Sequence, residues 1–302
     1  MNKRQHRSLF KSALSIFIIG LILSPATFGW GAGGHMMTAN IAFRRLNPKA
    51  KAKVAELLAV KINPAAVTVK SKDFVNAAHW ADDLRPFTEF DSFKPLHFID
   101  KPFSTDGTTL PVIEADNIVK ALEDNVNILK TSNDKKAQAQ ALRFIIHFVG
   151  DIHQPLHCTA RVSHALPGGD HGGNLFKIML MGADGKFKES NLHSYWDGGI
   201  RNFPPTGPNF APPSLKSVAL AANRISAANP DTDPDLKLDD PFNFNAWADE
   251  SFQIGQTDVY KGVLSGRRPR ASYNTRALRL AQKRVAWGGY RLAALLNSIW
   301  PE

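Results

Sequence analysis

Apolar residues recur at helical spacing along most of the chain. Positions three and four apart line one face over residues 36–47, 49–61, 73–83, 114–131 and 135–152, and again over 214–228, 243–263 and 274–299, which predicts a helix at each. Strand alternation is confined to 174–181 and 186–188. These runs flank Gly182-Ala183-Asp184-Gly185 and predict one hairpin. Pro204 to Pro213 reads as a proline-rich surface connection. With no fixed-period repeat and no low-complexity linker, the pattern predicts one mainly α domain with a small β excursion.

One predicted helix is not amphipathic. Ala139, Leu142, Phe144, Ile145, Ile146, Phe148 and Val149 make residues 135–152 apolar on nearly every side, so this helix belongs at the centre. It also carries His147 and Asp151, one turn apart on a single face. A carboxylate ionised in that setting is costly unless something compensates it, and a metal ion is one such compensator. The spacing His147-x-x-x-Asp151 recurs as His193-x-x-x-Asp197. On helices, each pair presents one imidazole and one carboxylate to a shared point. A single pair is a common stabilising contact. Two copies, with His157 just beyond the first, point to a metal, and imidazole with carboxylate suits zinc better than calcium or magnesium.

Composition narrows the class. The chain has 302 residues, 43% of them apolar, enough for a buried core and against disorder. Lys and Arg number 37 against 27 acidic residues, a formal +10 that favours an anionic partner. The charge is unevenly placed. Lys3, Arg4, Arg7 and Lys11 precede the apolar run Ala13 to Leu23 and then Ser24-Pro25-Ala26-Thr27-Phe28-Gly29, the layout of a secretory signal peptide with cleavage expected between Gly29 and Trp30. The apolar run is shorter than the ~20 residues of a spanning helix. Residues 30–302 then form the mature domain, with 33 basic residues against 27 acidic. The single cysteine, Cys158, excludes a disulfide framework and a cysteine-rich zinc site. With no N-x-Ser/Thr acceptor, the leader fits bacterial export, to periplasm or medium.

Six blocks carry a resemblance. WGAGGH at 30–35, WADDLR at 80–85, HFID at 97–100, HFVGDIHQPLH at 147–157, GGN at 172–174 and NLHSYWD at 191–197 together resemble the zinc-dependent single-strand nucleases of the S1/P1 family. These share a mainly α fold with the zinc phospholipases C. The resemblance implies three zinc ions. Trp30, through a freed α-amino group and its carbonyl, and His35 would hold one; Asp82, His97 and His147 a second; Asp151 would bridge these two; His157, His193 and Asp197 would hold the third. Eleven contacts, against about twelve for three tetrahedral zincs, leave room for water. An amine of pKa ~7.7–8.0 can lose its proton to bind zinc, whereas an internal amide cannot, so leader removal would create a ligand.

The implied activity is endonucleolytic hydrolysis of single-stranded DNA and RNA to 5′-phosphorylated products, with 3′-mononucleotide dephosphorylation and no covalent enzyme intermediate. Asp82 and Asp151 would orient the attacking water, and Arg85 would stabilise charge on the phosphate. Phe98 and Asp100, with Gly173 and Asn174, match the nucleobase pocket. Arg85 also reads as a surface ion pair and Phe98 as a core aromatic. His79 and His153 read as packing or ligand-supporting groups, His164 and His171 as exposed loop residues, Cys158 as a buried thiol, and Trp247 and Glu250 as structural. Two rival readings are a zinc phospholipase C and a secreted, non-catalytic zinc-binding protein. The short Trp30 to His35 spacing, and Asp197 where phospholipases generally use Glu, disfavour the first. The open coordination position disfavours the second.

Overall fold

The computed structural model describes residues 30–207 and 211–302. The expected leader, residues 1–29, and residues 208–210 of the proline-rich connection lie outside them. In chain order the elements are α1 (Ala32–Phe43), α2 (Pro48–Leu58), α3 (Ala65–Thr68), α4 (Phe74–Ala77), α5 (Trp80–Asp83), a 3-10 segment Thr88–His97, β1 (Pro102–Ser104), α6 (Ile118–Thr131) and α7 (Lys135–Ile152). After a 3-10 turn at Pro155–His157 come β2 (Ala160–Val162), β3 (Lys177–Met181), β4 (Phe187–Asn191), α8 (Leu192–Asp197), α9 (Leu215–Ala228), α10 (Phe244–Ile254) and α11 (Ala271–Ile299). The domain is mainly α, as its periodicity predicts.

Capping sets several of the helix starts. Asn47, Asn117, Asp134 and Ser214 each accept a backbone N–H of the helix they precede, satisfying donors that the helix cannot pair internally. Helix α7 has its predicted bounds, and every residue from Ala141 to Ile152 is buried. Helices α1, α2, α5, α6 and α11 pack around it. The β structure is two small sheets: β1 pairs β2 in parallel, and β3 pairs β4 antiparallel with Met181 opposite Phe187.

Four of the departures from expectation have a clear physical cause. Helix α1 begins at Ala32 rather than 36, despite the low helix propensity of Gly33 and Gly34. A Cβ at Gly33 would lie 2.2 Å from the Pro204 carbonyl oxygen, so tertiary packing selects glycine inside a helix. The helix expected over 73–83 is two short ones, α4 and α5, parted at Ala78 and His79. The parting leaves the Ala78 carbonyl to accept from His147 Nδ1 at 2.7 Å. The expected 243–263 helix ends at Ile254 and widens into a π turn at Gly255–Val259, where the backbone lies against Thr159. Residues 114–117 precede α6, because Asn117 caps it.

The buried apolar residues form two clusters. Trp80, Phe144, Phe148 and Val149 belong to the first, and Trp30, Leu156, Leu192 and Trp196 to the second. The rings of His97 and His147 pack on Phe148 of the first cluster and Trp30 is part of the second, so the predicted ligands lie at a seam between the two.

Candidate metal centre

Helix α7 supplies the centre of the site. His147 Nε2 lies 3.0 Å from Asp151 Oδ2, one turn on. His35, from α1, stacks on the His147 ring with centroids 3.9 Å apart, and its Nε2 lies 3.3 Å from Asp151 Oδ1. Gly150 makes this approach possible: a Cβ there would lie 2.6 Å from His35 Nδ1. His97, closing its 3-10 segment, brings Nδ1 to 3.0 Å from Asp151 Oδ2 and 3.1 Å from His147 Nε2. Asp82, from α5, places Oδ1 3.6 Å from His147 Nε2.

The remaining ligand candidates come from short elements. His157 ends its 3-10 turn with Nδ1 donating to the His97 carbonyl at 2.7 Å, while Ile99 N donates back to the His157 carbonyl at 2.7 Å. Asn191 caps α8, which carries His193 and Asp197 with Nε2 and Oδ2 3.4 Å apart. Gly31 N donates to the Asp197 carbonyl at 3.0 Å, so the chain beside Trp30 reaches the same end of α8. Three groups of potential ligand atoms result: His35, His147 and Asp151; Asp82, His97 and His147; and His157, His193 and Asp197. Each can hold a metal ion.

The donor chemistry fits that role. His147, His157 and His193 each direct Nδ1 at a backbone carbonyl, of Ala78, His97 and Gly172 respectively. A carbonyl only accepts, so Nδ1 carries the proton and Nε2 presents a lone pair, the arrangement found behind metal-binding histidines. Both His35 ring nitrogens, His157 Nε2 and Asp151 Oδ1 are buried without a hydrogen bond. Orphaned polar atoms of this kind, an imidazole lone pair and a carboxylate oxygen among them, are costly unless something satisfies them, and a cation would.

The electrostatics show how strongly the acids draw positive charge here: a metal bound at His147 would displace a proton from its Nε2. Burial opposes charge on His147, yet Asp151 and Asp82 beside it raise it to about 9. Burial and the adjacent His147 lower His35 to about 4. Burial works against an ionised Asp151, but His147, His157 and His35 hold it well below the usual carboxylate range. Burial pushes Asp197 well above that range, with Gln154 as its hydrogen-bond donor. A buried carboxylate in this position calls for a positive partner.

The predicted substrate residues lie at the margin. Arg85 Nη2 is 2.6 Å from Asp82 Oδ1 with its side chain 15% exposed, so it is an ion pair at the edge of the centre rather than a solvated surface pair. Phe98 and Asp100 are half-buried and directly follow His97. Burial, with Asp170 nearby, pushes Asp100 up to about 7. Asp170 in turn accepts from Gly173 N at 3.0 Å, linking Asp100 to the loop of Gly173 and Asn174. The Asn174 amide turns back on the His171 carbonyl at 2.6 Å.

Gln154 is a site residue that the spacing argument did not single out. Fully buried, it donates from Nε2 to Asp197 Oδ1 at 2.8 Å and accepts from Leu156 N at 2.7 Å. It thus fixes Asp197 and the turn bearing His157 together. Its position between Asp151 and His157 is the signal that could have found it. Of the other histidines, His79 pairs with Asp83 at 2.9 Å, His153 is buried against Arg291, and His164 is exposed beside Asp106.

Comparison with known proteins adds a further finding. Residues 30–301 match the family model described as S1/P1 Nuclease. The chain is similar to Endonuclease 2 of Arabidopsis thaliana, 29% identical over 300 residues and 93% of each chain. It is also similar to Nuclease S1 of Aspergillus oryzae, 27% identical over 307 residues, 95% of this chain and 97% of the other. Nuclease P1 of Penicillium citrinum is 29% identical over 174 residues, 56% of this chain and 57% of the other.

Proposed function

Since the chain belongs to the S1/P1 nuclease family, whose members are hydrolases of nucleic-acid phosphoester bonds, we infer that it cleaves single-stranded DNA and RNA endonucleolytically. The products are 5′-phosphorylated, 3′-mononucleotides are dephosphorylated, and the resident metals are three zinc ions. The observation that carries this reading is the convergence of three His/Asp groups at one seam, two of them sharing His147. The residues that would hold the zinc ions are Trp30 with His35; Asp82, His97 and His147; Asp151, shared by these two sets; and His157, His193 and Asp197. The family match beginning at Trp30 supports a leader removed before that residue and an enzyme that works in the periplasm or outside the cell. Among the described residues, no helix is long and apolar enough to cross a membrane.

Zinc bound at such a centre supplies Lewis acidity, easing ionisation of water near neutral pH and offsetting phosphate charge. The chain's own residues do the rest. Asp82 and Asp151 orient the water for attack on phosphorus, so that the P–O3′ bond breaks and the departing 3′ oxygen leaves as a hydroxyl while the phosphate stays on the 5′ oxygen. Arg85 leaves its pairing with Asp82 to grip a non-bridging phosphate oxygen, a contact that strengthens as charge develops. Phe98 stacks on the base, Asp100 bonds its edge, and Gly173 with Asn174 closes the pocket. Stacking accepts any base, worth ~1–3 kcal/mol each, so an unpaired strand is the natural substrate.

The test is an assay of protein beginning at Trp30 on single-stranded DNA, RNA, a 3′-mononucleotide and phosphatidylcholine, with and without a zinc chelator. We expect chelator-sensitive release of 5′-phosphorylated nucleotides. Chelator-sensitive lipid cleavage without nucleotide release would overturn the reading.

A further inference from the structure

A buried carboxyl stands outside both the metal centre and the predicted base pocket. Asp170 is 2% exposed, and its partners are neutral donors. Its Oδ1 accepts from Arg161 N of β2 and from Gly173 N, each at 3.0 Å, and the Tyr260 hydroxyl faces both its oxygens at 3.0 and 2.9 Å. Among the described residues no cation forms an ion pair with it. The Arg161 guanidinium lies instead 5.8 Å from the Phe176 ring centroid. Burial accordingly raises the Asp170 carboxyl above its ordinary value. A carboxyl placed so is costly. It is retained where its hydrogen bonds impose one arrangement on a backbone that would not adopt it unaided.

That backbone is the turn after Asp170. His171, Gly172 and Gly173 are consecutive left-handed residues, with φ of 51°, 60° and 79°. The left-handed region is visited by single residues rather than runs, and it is unfavourable for a residue with a Cβ such as His171. Gly172 also lacks room for a side chain, since a Cβ there would lie 2.3 Å from the Leu156 carbonyl oxygen. The run turns Gly173 N back onto the Asp170 carboxyl. It also directs three carbonyls to separate donors: His171 to Asn174 Nδ2 at 2.6 Å, Gly172 to His193 Nδ1 at 2.7 Å, and Gly173 to His193 N at 3.4 Å. One turn therefore carries Gly173 and Asn174 of the base pocket and the carbonyl that fixes the proton on His193.

Tyr260 holds the carboxyl from the other side. It directly follows the π turn Gly255–Val259, and its ring packs edge-on against Phe103 of β1 and against Phe176, with centroids 5.3 and 5.8 Å apart. A ring fixed from two directions gives its hydroxyl one place to point, the Asp170 carboxyl. Asp100 is close enough to feel Asp170 and to act on Tyr260, so a third pocket residue borders the same pair. We propose that Asp170, locked by Tyr260, is a positioning residue for the reaction: through Gly173 N it holds the left-handed turn that orients His193 toward its metal and sets Gly173 and Asn174 against the base. The proposal rests on the nuclease reading for the base and for the zinc.

The test compares the parent, beginning at Trp30, with Asp170→Ala, Asp170→Asn and Tyr260→Phe. Three quantities are read: zinc affinity by competition with a chromophoric chelator, Kd for a 5′-mononucleotide by calorimetry, and kcat and KM on a 3′-mononucleotide. In Asp170→Ala one zinc ion should bind about 10–100-fold more weakly, the usual loss when the group behind a ligand is released. Excess zinc should restore kcat, while KM and the 5′-mononucleotide Kd stay raised by about fivefold, the order of one lost hydrogen bond in the pocket. Asp170→Asn keeps an acceptor for Arg161 N and Gly173 N and a donor for the Tyr260 hydroxyl, so it should rescue both readouts. Tyr260→Phe should shift both in the direction of Asp170→Ala by about twofold to threefold. Parent-like zinc affinity and nucleotide Kd in Asp170→Ala, with only Tm lowered, would overturn the proposal. Should Asp170→Ala not fold, Tyr260→Phe decides, and parent-like values in it overturn the proposal equally. If the parent hydrolyses no nucleotide, the nuclease reading falls, and the zinc titrations still decide whether Asp170 holds His193.

Discussion

At the scale of single residues, the centre depends on groups that are not themselves ligands. Gln154 holds Asp197 Oδ1 at 2.8 Å. Its truncation leaves that carboxylate free to turn, and losses behind a metal ligand typically weaken binding ~10–100-fold. Gln154→Ala should therefore weaken one metal of the set by that order in a competition titration with a chromophoric chelator; an unchanged titration would deny the positioning role. Gly150→Ala sets two effects against each other. Helix propensity alone favours alanine by about 1 kcal/mol, but the new Cβ falls 2.6 Å from His35 Nδ1. The clash should win, with weaker metal retention and lower turnover; full retention would show that His35 has room to move. Asp100 gives a pH signature. Its carboxyl is raised from 3.8 to about 7 by burial and by Asp170, so between those values the folded chain binds more protons than the unfolded one. Its contribution to stability falls as pH rises through that window and is level above it. The stability of Asp100→Asn relative to the parent, from urea unfolding, should rise from about pH 4 to about pH 7 and then plateau. Parallel curves would place Asp100 in open solvent.

At the scale of elements, α7 is held at its functional end by α10 and α11. Arg284, 1% exposed, donates to the His153 carbonyl at 3.0 Å and to Ser251 Oγ at 2.7 Å and pairs with Glu250, which also takes Arg291 Nη1 at 2.7 Å. Breaking a buried pair costs about 3–5 kcal/mol, and Glu250 is partly solvated, so Arg284→Ala should destabilise by about 3 kcal/mol, the low end, in urea unfolding. A loss below about 1 kcal/mol would mean that this network holds nothing. The elements were unevenly legible. Helix α7 was readable because its apolar pattern, Asp134 cap and length agree. The break between α4 and α5 was not, because it exists to free the Ala78 carbonyl for His147, a partner 69 residues away. The early start of α1 was hidden for the same reason: glycines that weaken a helix locally are required where α1 meets Pro204. The paired spacings of His147 with Asp151 and His193 with Asp197 could be read directly. Gln154 was marked only by its position between Asp151 and His157, and Gly150 not at all, since their roles arise when α1, α7 and α8 meet.

At the scale of the whole molecule, the centre lies at the seam of two apolar clusters, so metal binding and folding are coupled. Ligands from α1, α5, α7, α8 and two 3-10 segments converge there, and removing the metals leaves buried donors unsatisfied. Chelation should therefore lower Tm; an unchanged Tm would mean that the donors are satisfied without metal. The overall charge is a weaker guide than it first looks. Four of the 37 basic residues precede Trp30, and many of the rest are paired with acids on the surface. In the proposed enzyme, leader removal completes a three-metal hydrolytic centre by freeing the Trp30 amine. The direct measurement is zinc content and single-stranded DNA turnover of protein beginning at Trp30, beside the same protein with one extra residue before it. Three equivalents of zinc and full turnover are expected for the first, and loss of at least one equivalent with near-complete loss of turnover for the second. Equal zinc and equal turnover in the two would contradict it.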